Sequence, residues 1–142
     1  MDIRSGETIM SIFKKEDSPK TILDFSPLEL VTHVVVCLQL ADGRIEFEER
    51  EVWADILLEL FPDYKQHRAL DVLREAGQQI TTMDEFEKMD HAVQCSAKLK
   101  EHFSTDYLKE NLLPKLEHVI EADGIVFTSE TNMIERLKEV FK

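Results

Sequence analysis

The sequence predicts an all-α fold, a single-domain helical bundle of six or seven helices with an internal pseudo-symmetric duplication. Apolar residues recur at three- and four-residue spacing in segment after segment, the signature of helices that bury one stripe. No sustained period-two run flanked by turn residues occurs, which argues against a sheet. An Asp-Gly pair set between two apolar helical patterns occurs twice, 81 residues apart.

The first helix is expected from about Pro27 to Ala41. Ser26 can cap it, Pro27 suits its first position, Glu29 can reach back to the cap, and Phe25 and Leu30 fit a hydrophobic staple. Val52/Trp53, Ile56/Leu57 and Leu60/Phe61 repeat every four residues and stop at Pro62, which makes a second helix with Trp53 and Phe61 packed in the core. Asp63 offers a cap for a third, whose stripe is Leu70, Leu73, Ala76 and Ile80, with Gly77 weakening its end. Thr82 and Glu85 form a capping box before Phe86, Met89 and Val93. A fifth helix, about Thr105 to Ala122, contains Pro114, which must kink it or split it in two. Met133, Ile134, Leu137, Val140 and Phe141 mark the last. Residues 1–20 read as an arm outside the domain of 21–142, with one short apolar patch from Ile9 to Phe13 and a second candidate start at Met10.

A chain of 142 residues fits one domain. Its 17 basic and 29 acidic residues give a net charge of −12, which repels nucleic-acid phosphates and anionic lipid surfaces. The longest nearly uncharged apolar stretch, Val31 to Ala41, falls well short of the roughly 20 residues a spanning helix needs, so membrane insertion is not expected. The first residues do not read as a secretory signal, and Cys37 and Cys95 are too few for a disulfide framework; the expected compartment is the cytoplasm.

The two Asp-Gly segments match in detail. Ala41-Asp42-Gly43-Arg44-Ile45 leads to Glu49, and Ala122-Asp123-Gly124-Ile125-Val126 leads to Glu130. Glycine reaches the left-handed conformation that ends a helix, where another residue would cost about 1–2 kcal/mol. Ile45 and Val126 can anchor each loop in the core. Glu49 and Glu130 fall in the first turn of the next helix, where free N–H groups and the helix dipole favour a carboxylate. On these residues the chain from about Ser26 to Lys142 resembles the tellurite-resistance TerB family, whose relatives include the N-terminal domain of a membrane-anchored DnaJ-like co-chaperone. The resemblance implies a pseudo-symmetric bundle, acidic loop positions suspected of binding metal, and a stress-response role without known catalysis. Its positions carry over to Asp42, Gly43, Ile45 and Glu49, and to Asp123, Gly124, Val126 and Glu130. The chain departs from the family pattern at Glu46 and Phe127, where a small capping residue is common; Thr128 or Ser129 is then the alternative cap.

As calcium loops the two segments are incomplete. Asp-Gly would take the fifth and sixth positions of an EF-hand and Glu49 or Glu130 the twelfth, but Leu38 and Leu40, or Val119 and Glu121, stand where the first and third ligands belong. Each loop alone offers Asp42, Glu46 and Glu49, or Glu121, Asp123 and Glu130. If the duplication brings the loops together, their carboxylates can pool into one weak oxygen site for Ca2+, Mg2+ or Mn2+. In the bland alternative the same side chains only satisfy backbone N–H groups around the turn.

The five histidines lack Glu-x-x-His or His-Glu-x-x-His spacing. Glu29/His33 and Glu87/His91 are i, i+4 pairs of a kind surface helices use routinely, and structural or solvated histidines are expected rather than metal ligands. With no nucleophile elbow, phosphate-cradling loop or Cys-x-x-Cys, the sequence supports no enzyme. Two functions remain: a non-enzymatic TerB-like stress-response protein that binds a cation or a protein partner through its acidic loop face, and a metal-independent helical protein–protein interaction module.

Overall fold

The computed structural model describes residues 21–40, 47–121 and 128–142; for 47–50, 120–121 and 128–130 it describes the backbone alone. A short 3-10 turn, Ile22–Asp24, precedes six helices: α1 (Pro27–Gln39), α2 (Phe47–Leu60), α3 (Gln66–Thr81), α4 (Glu85–Leu99), α5 and α6 (Thr128–Val140). α5 is compound, with an α-helical start at Thr105–Tyr107, a π-helical turn at Leu108–Leu112 and an α-helical remainder at Leu113–Glu121. No strand occurs among the described residues. The all-α bundle expected from the sequence is the fold observed.

The centre of the bundle is α1. Its capping box forms as expected, with the Glu29 N–H donating to Ser26 Oγ and the Ser26 N–H donating to Glu29 Oε1 at 2.9 Å. Every residue from Glu29 to Gln39 is buried, and α1 touches all five other helices. A helix apolar on all sides has no face to give to water, so the fold surrounds it. Leu30, Val31, Val34, Val35, Val36 and Leu38 are each 0% exposed, and each such side chain contributes about 1.5–3 kcal/mol of burial energy. At the far end, Lys88 of α4 donates to the Leu40 carbonyl at 2.8 Å, placing a cation on the negative pole of the helix.

Two expected caps move. α3 begins after Lys65, which makes no side-chain cap, because the chain turns at Pro62 and Asp63 and closes that turn with Tyr64 N–H to Phe61 O at 2.9 Å. Asp63 lies before the helix and does not cap it. α4 is capped by Asp84 in a box with Glu87, whereas Thr82 ends α3 and donates its hydroxyl to the Gln79 carbonyl. Asp84 wins because its carboxylate bonds the free N–H groups of the first turn more strongly than a hydroxyl does.

Two expected faces also turn. On α3 the buried residues are Ala69, Val72, Ala76 and Ile80, with Leu73 partly buried and Leu70 45% exposed. On α4 they are His91, Ala92, Cys95, Ser96 and Leu99, with Met89 and Val93 partly buried and Phe86 80% exposed. Small side chains allow close packing, and the fully buried Ala92 and Ser96 lie on the helix that packs most extensively against α1, while the large Phe86 is left outside. Trp53 is packed as expected, its indole N–H donating to Thr32 Oγ1 at 3.1 Å, and Phe61 is partly buried.

Pro114 does not split α5, whose helical segments run without a break from Thr105 to Glu121. Proline has no N–H to donate, and its ring collides with the carbonyl four residues back. The π turn just before it widens the helix, with the Leu113 N–H reaching Leu108 O, and Asn111 Nδ2 donates to the Tyr107 carbonyl at 3.0 Å.

Two substitutions test these local assignments. Gly77 sits inside α3, and a Cβ added there meets nothing within 4 Å. Gly77→Ala is therefore expected to raise the free energy of unfolding by about 0.5–1 kcal/mol in urea titrations, while Ser26→Ala lowers it by about 1 kcal/mol through loss of the cap.

Candidate functional site

Of the acidic positions singled out in the sequence, Asp42, Glu46 and Asp123 lie outside the described residues, as do Gly43, Ile45, Gly124 and Val126. Glu49, Glu121 and Glu130 have a described backbone. α2 begins at Phe47 and α6 at Thr128, so the two helices start 81 residues apart, the same offset as the Asp-Gly pairs. Glu49 and Glu130 are then each the third residue of their helix, the position from which a Glu reaches the N-terminal N–H groups, and Thr128 lies inside its helix. Glu121 is the last residue of α5.

α2 follows the first Asp-Gly segment, α5 precedes the second, and the two helices pack against each other. A cleft of about 310 Å3 between them is lined by Asp55, Ile56 and Glu59 on one side and Pro114, Lys115 and His118 on the other. Lys115 pairs with Glu59 at 2.8 Å across it. Both groups are partly exposed, and such a pair is worth about 0–1 kcal/mol. Among the described residues, no three His, Cys, Asp or Glu side chains converge in a way that could hold a metal ion.

The polar site that the described residues do form is a buried pair of histidines, the structural rather than the solvated form of the expectation. His33 and His91 are 3% and 8% exposed, and His33 Nδ1 lies 2.9 Å from His91 Nε2. The faces that carry them are the ones that pack, so the two rings meet between α1 and α4. Phe25 covers His33 with ring centroids 4.3 Å apart and meets His91 edge-on at 6.4 Å. Cys95 Sγ lies 3.7 Å from His91 Nε2. Glu29, on the turn before His33, faces Arg68 of α3 at 3.7 Å. A signal for this cluster was present in the sequence: His33-x-x-x-Cys37 and His91-x-x-x-Cys95 put the same pair on one face of each helix.

The electrostatics follow from burial. Desolvation, together with the neighbouring His91, lowers the His33 pKa to about 4, although Glu29 favours the charged form. Burial also lowers His91, against the pull of Asp90. The thiols move the other way: burial pushes Cys95 up to about 12 and Cys37 well above the usual thiol range. At neutral pH the site thus holds two neutral imidazoles with one proton on the line between them, beside two protonated, fully buried thiols. A thiol in that state is no nucleophile. One side of the cluster reaches the surface. His91 lines a groove of about 700 Å3 between the 3-10 turn, at Thr21, Ile22 and Leu23, and α4, at Gln94, Ala97 and Lys98.

Two outcomes check this description. An aromatic disulfide reagent at pH 8 is expected to leave both cysteines unmodified in the folded protein and to titrate both in denaturant; prompt labelling of the native chain contradicts the burial. In the unfolded chain both imidazoles take up protons near pH 6.5, whereas folded His33 waits until about pH 4. Stability is therefore full above that range and falls as pH drops through it, by on the order of 3 kcal/mol from His33 alone. Urea midpoints between pH 6.5 and 5, where most carboxylates are still ionised, should fall for the native sequence and stay flatter for His33→Gln. No protein-family model, no curated protein and no solved structure matches this chain.

Proposed function

We propose that the chain is a non-enzymatic, TerB-like stress-response protein of the tellurite-resistance type, acting in the cytoplasm through an acidic face made by its two Asp-Gly segments. The supporting observation is the shared 81-residue offset of the segments and of the helices that follow them, with a Glu at the third position of each. The packing of α2 against α5 is consistent with one common acidic surface. On this reading Asp42, Glu46, Glu49, Glu121, Asp123 and Glu130 share one weakly bound Ca2+, Mg2+ or Mn2+. The net charge of −12 favours a cation or a basic protein surface as the ligand. No helix among the described residues is long and apolar enough to cross a membrane.

A metal-independent interaction module is the second reading. It draws on four large apolar side chains that the fold leaves outside, Leu23, Leu58, Leu70 and Phe86, which are 79%, 60%, 45% and 80% exposed. The two readings separate in a melting experiment. A cation bound only by the folded protein, at tenfold excess over its Kd, adds about 1.4 kcal/mol and raises Tm by about 3–5 °C relative to chelator-treated protein. Calorimetric titration of metal-stripped protein with Ca2+ and Mg2+ should give heats that the Asp42→Asn, Asp123→Asn double variant loses; equal heats, or an unchanged Tm, leave the interaction module.

A further inference from the structure

The His33–His91 contact joins two helices far apart in sequence, and Phe25, at the end of a thin 3-10 turn, packs on both rings. Asn, Gln or Ser would hold such a contact at any pH; a pair of imidazoles does not. The neutral pair shares a single proton along its 2.9 Å line. A first added proton can be kept as an imidazolium donating to an imidazole, but a second points two N–H donors at each other and breaks the contact. The cover is the segment Ile22–Phe25. Its 3-10 turn has no buried residue, and it is held by Phe25, which packs on both rings, and by the partly buried Ile22.

We propose that the His33–His91 pair is an acid-operated latch, which releases the Ile22–Phe25 cover and opens the groove beside α4 when the imidazoles take up protons.

The groups facing the pair favour release over accommodation. On α1, Glu29 is the one carboxylate near His33, and it is already engaged by the Ser26 N–H and by Arg68 of α3. On α4, Asp90 is next to His91 in sequence, Lys88 adds positive charge while bonded to Leu40 O, and Lys98 at the groove wall pairs with Glu101 at 2.9 Å. The thiols of Cys37 and Cys95 are uncharged. In the turn, Asp24 accepts from Thr21 Oγ1 at 3.2 Å, and it is the acidic group that moves with the cover. Release lets water reach His91 through a groove it already lines.

Amide hydrogen exchange of the full chain between pH 7 and 4.5, corrected for intrinsic rates, tests the latch. Exchange over Ile22–Phe25 should speed up by about tenfold or more at the acid end, while the middle of α1 and α6 stays protected. His33→Gln/His91→Gln, which keeps hydrogen-bonding groups but cannot titrate, should remove that acceleration. If that variant fails to fold, imidazole NMR of the native chain decides. Both rings should titrate below the ordinary imidazole range, and His33 and His91 shifts should move together with opening of the cover. Ordinary titration of both rings, acceleration spread equally over all helices, or an unchanged pH response in the glutamine variant overturns the proposal.

Discussion

The structure depends on the burial of α1 on every side. A segment such as Val31-Thr-His-Val-Val-Val-Cys-Leu-Gln-Leu40 cannot offer a polar face to water, so the other five helices form its surroundings. Once that is required, an unmet buried donor or acceptor costs about 1–3 kcal/mol, and several polar groups along this segment meet partners on neighbouring helices. Thr32 finds the indole of Trp53, His33 finds His91, and the last carbonyl finds Lys88. These contacts fix how α2 and α4 lie on the central helix, and they are directional where apolar packing is not. The polar atoms of α1 therefore set the arrangement of a bundle whose energy comes from its apolar ones.

The histidine pair shows how position decides chemistry. The same two residue types on a solvated helix would be half charged near pH 6.5 and would bind whatever passed. Between α1 and α4, under Phe25, they are neutral and bonded to each other, beside thiols that burial keeps protonated. That environment removes nucleophilic chemistry and leaves sensitivity to acid. Glu49 and Glu130 stand apart from this pair, each at the third position of its helix, where a carboxylate has its own local justification.

Most of the fold was legible in the sequence. Ser26, Pro27 and Glu29 define the start of α1 without help from tertiary structure, and Pro62 ends the reach of α2. The faces of α3 and α4 are legible only in part: Ala76 and Ile80 are buried and Leu73, Met89 and Val93 pack against the core as their periodicity predicts, whereas Leu70 and Phe86, which size alone would place inside, are exposed and the small Ala69, Ala92 and Ser96 are buried. The histidines are legible as structural or solvated groups, but their contact is not, because it joins residues 58 apart in sequence on two helices. The cap of α4 was ambiguous for a simpler reason, since Thr82 and Asp84 both stand three residues before a glutamate. For the acidic positions, the spacing of Glu49 and Glu130 was read correctly as first-turn, and the helix starts agree with it.

The widened turn in α5 also has a consequence for how the chain tolerates change in length. A π turn accommodates one more residue than the α-helical turn it replaces, and here it does so while Leu108, Leu112 and Leu116 all stay buried. The helix therefore carries a spare position that a proline has made useful. Loss of a single residue from Leu108–Leu112 would be absorbed by tightening that turn, whereas the same deletion in α1, with no slack and no free side, would rotate half of the core out of register.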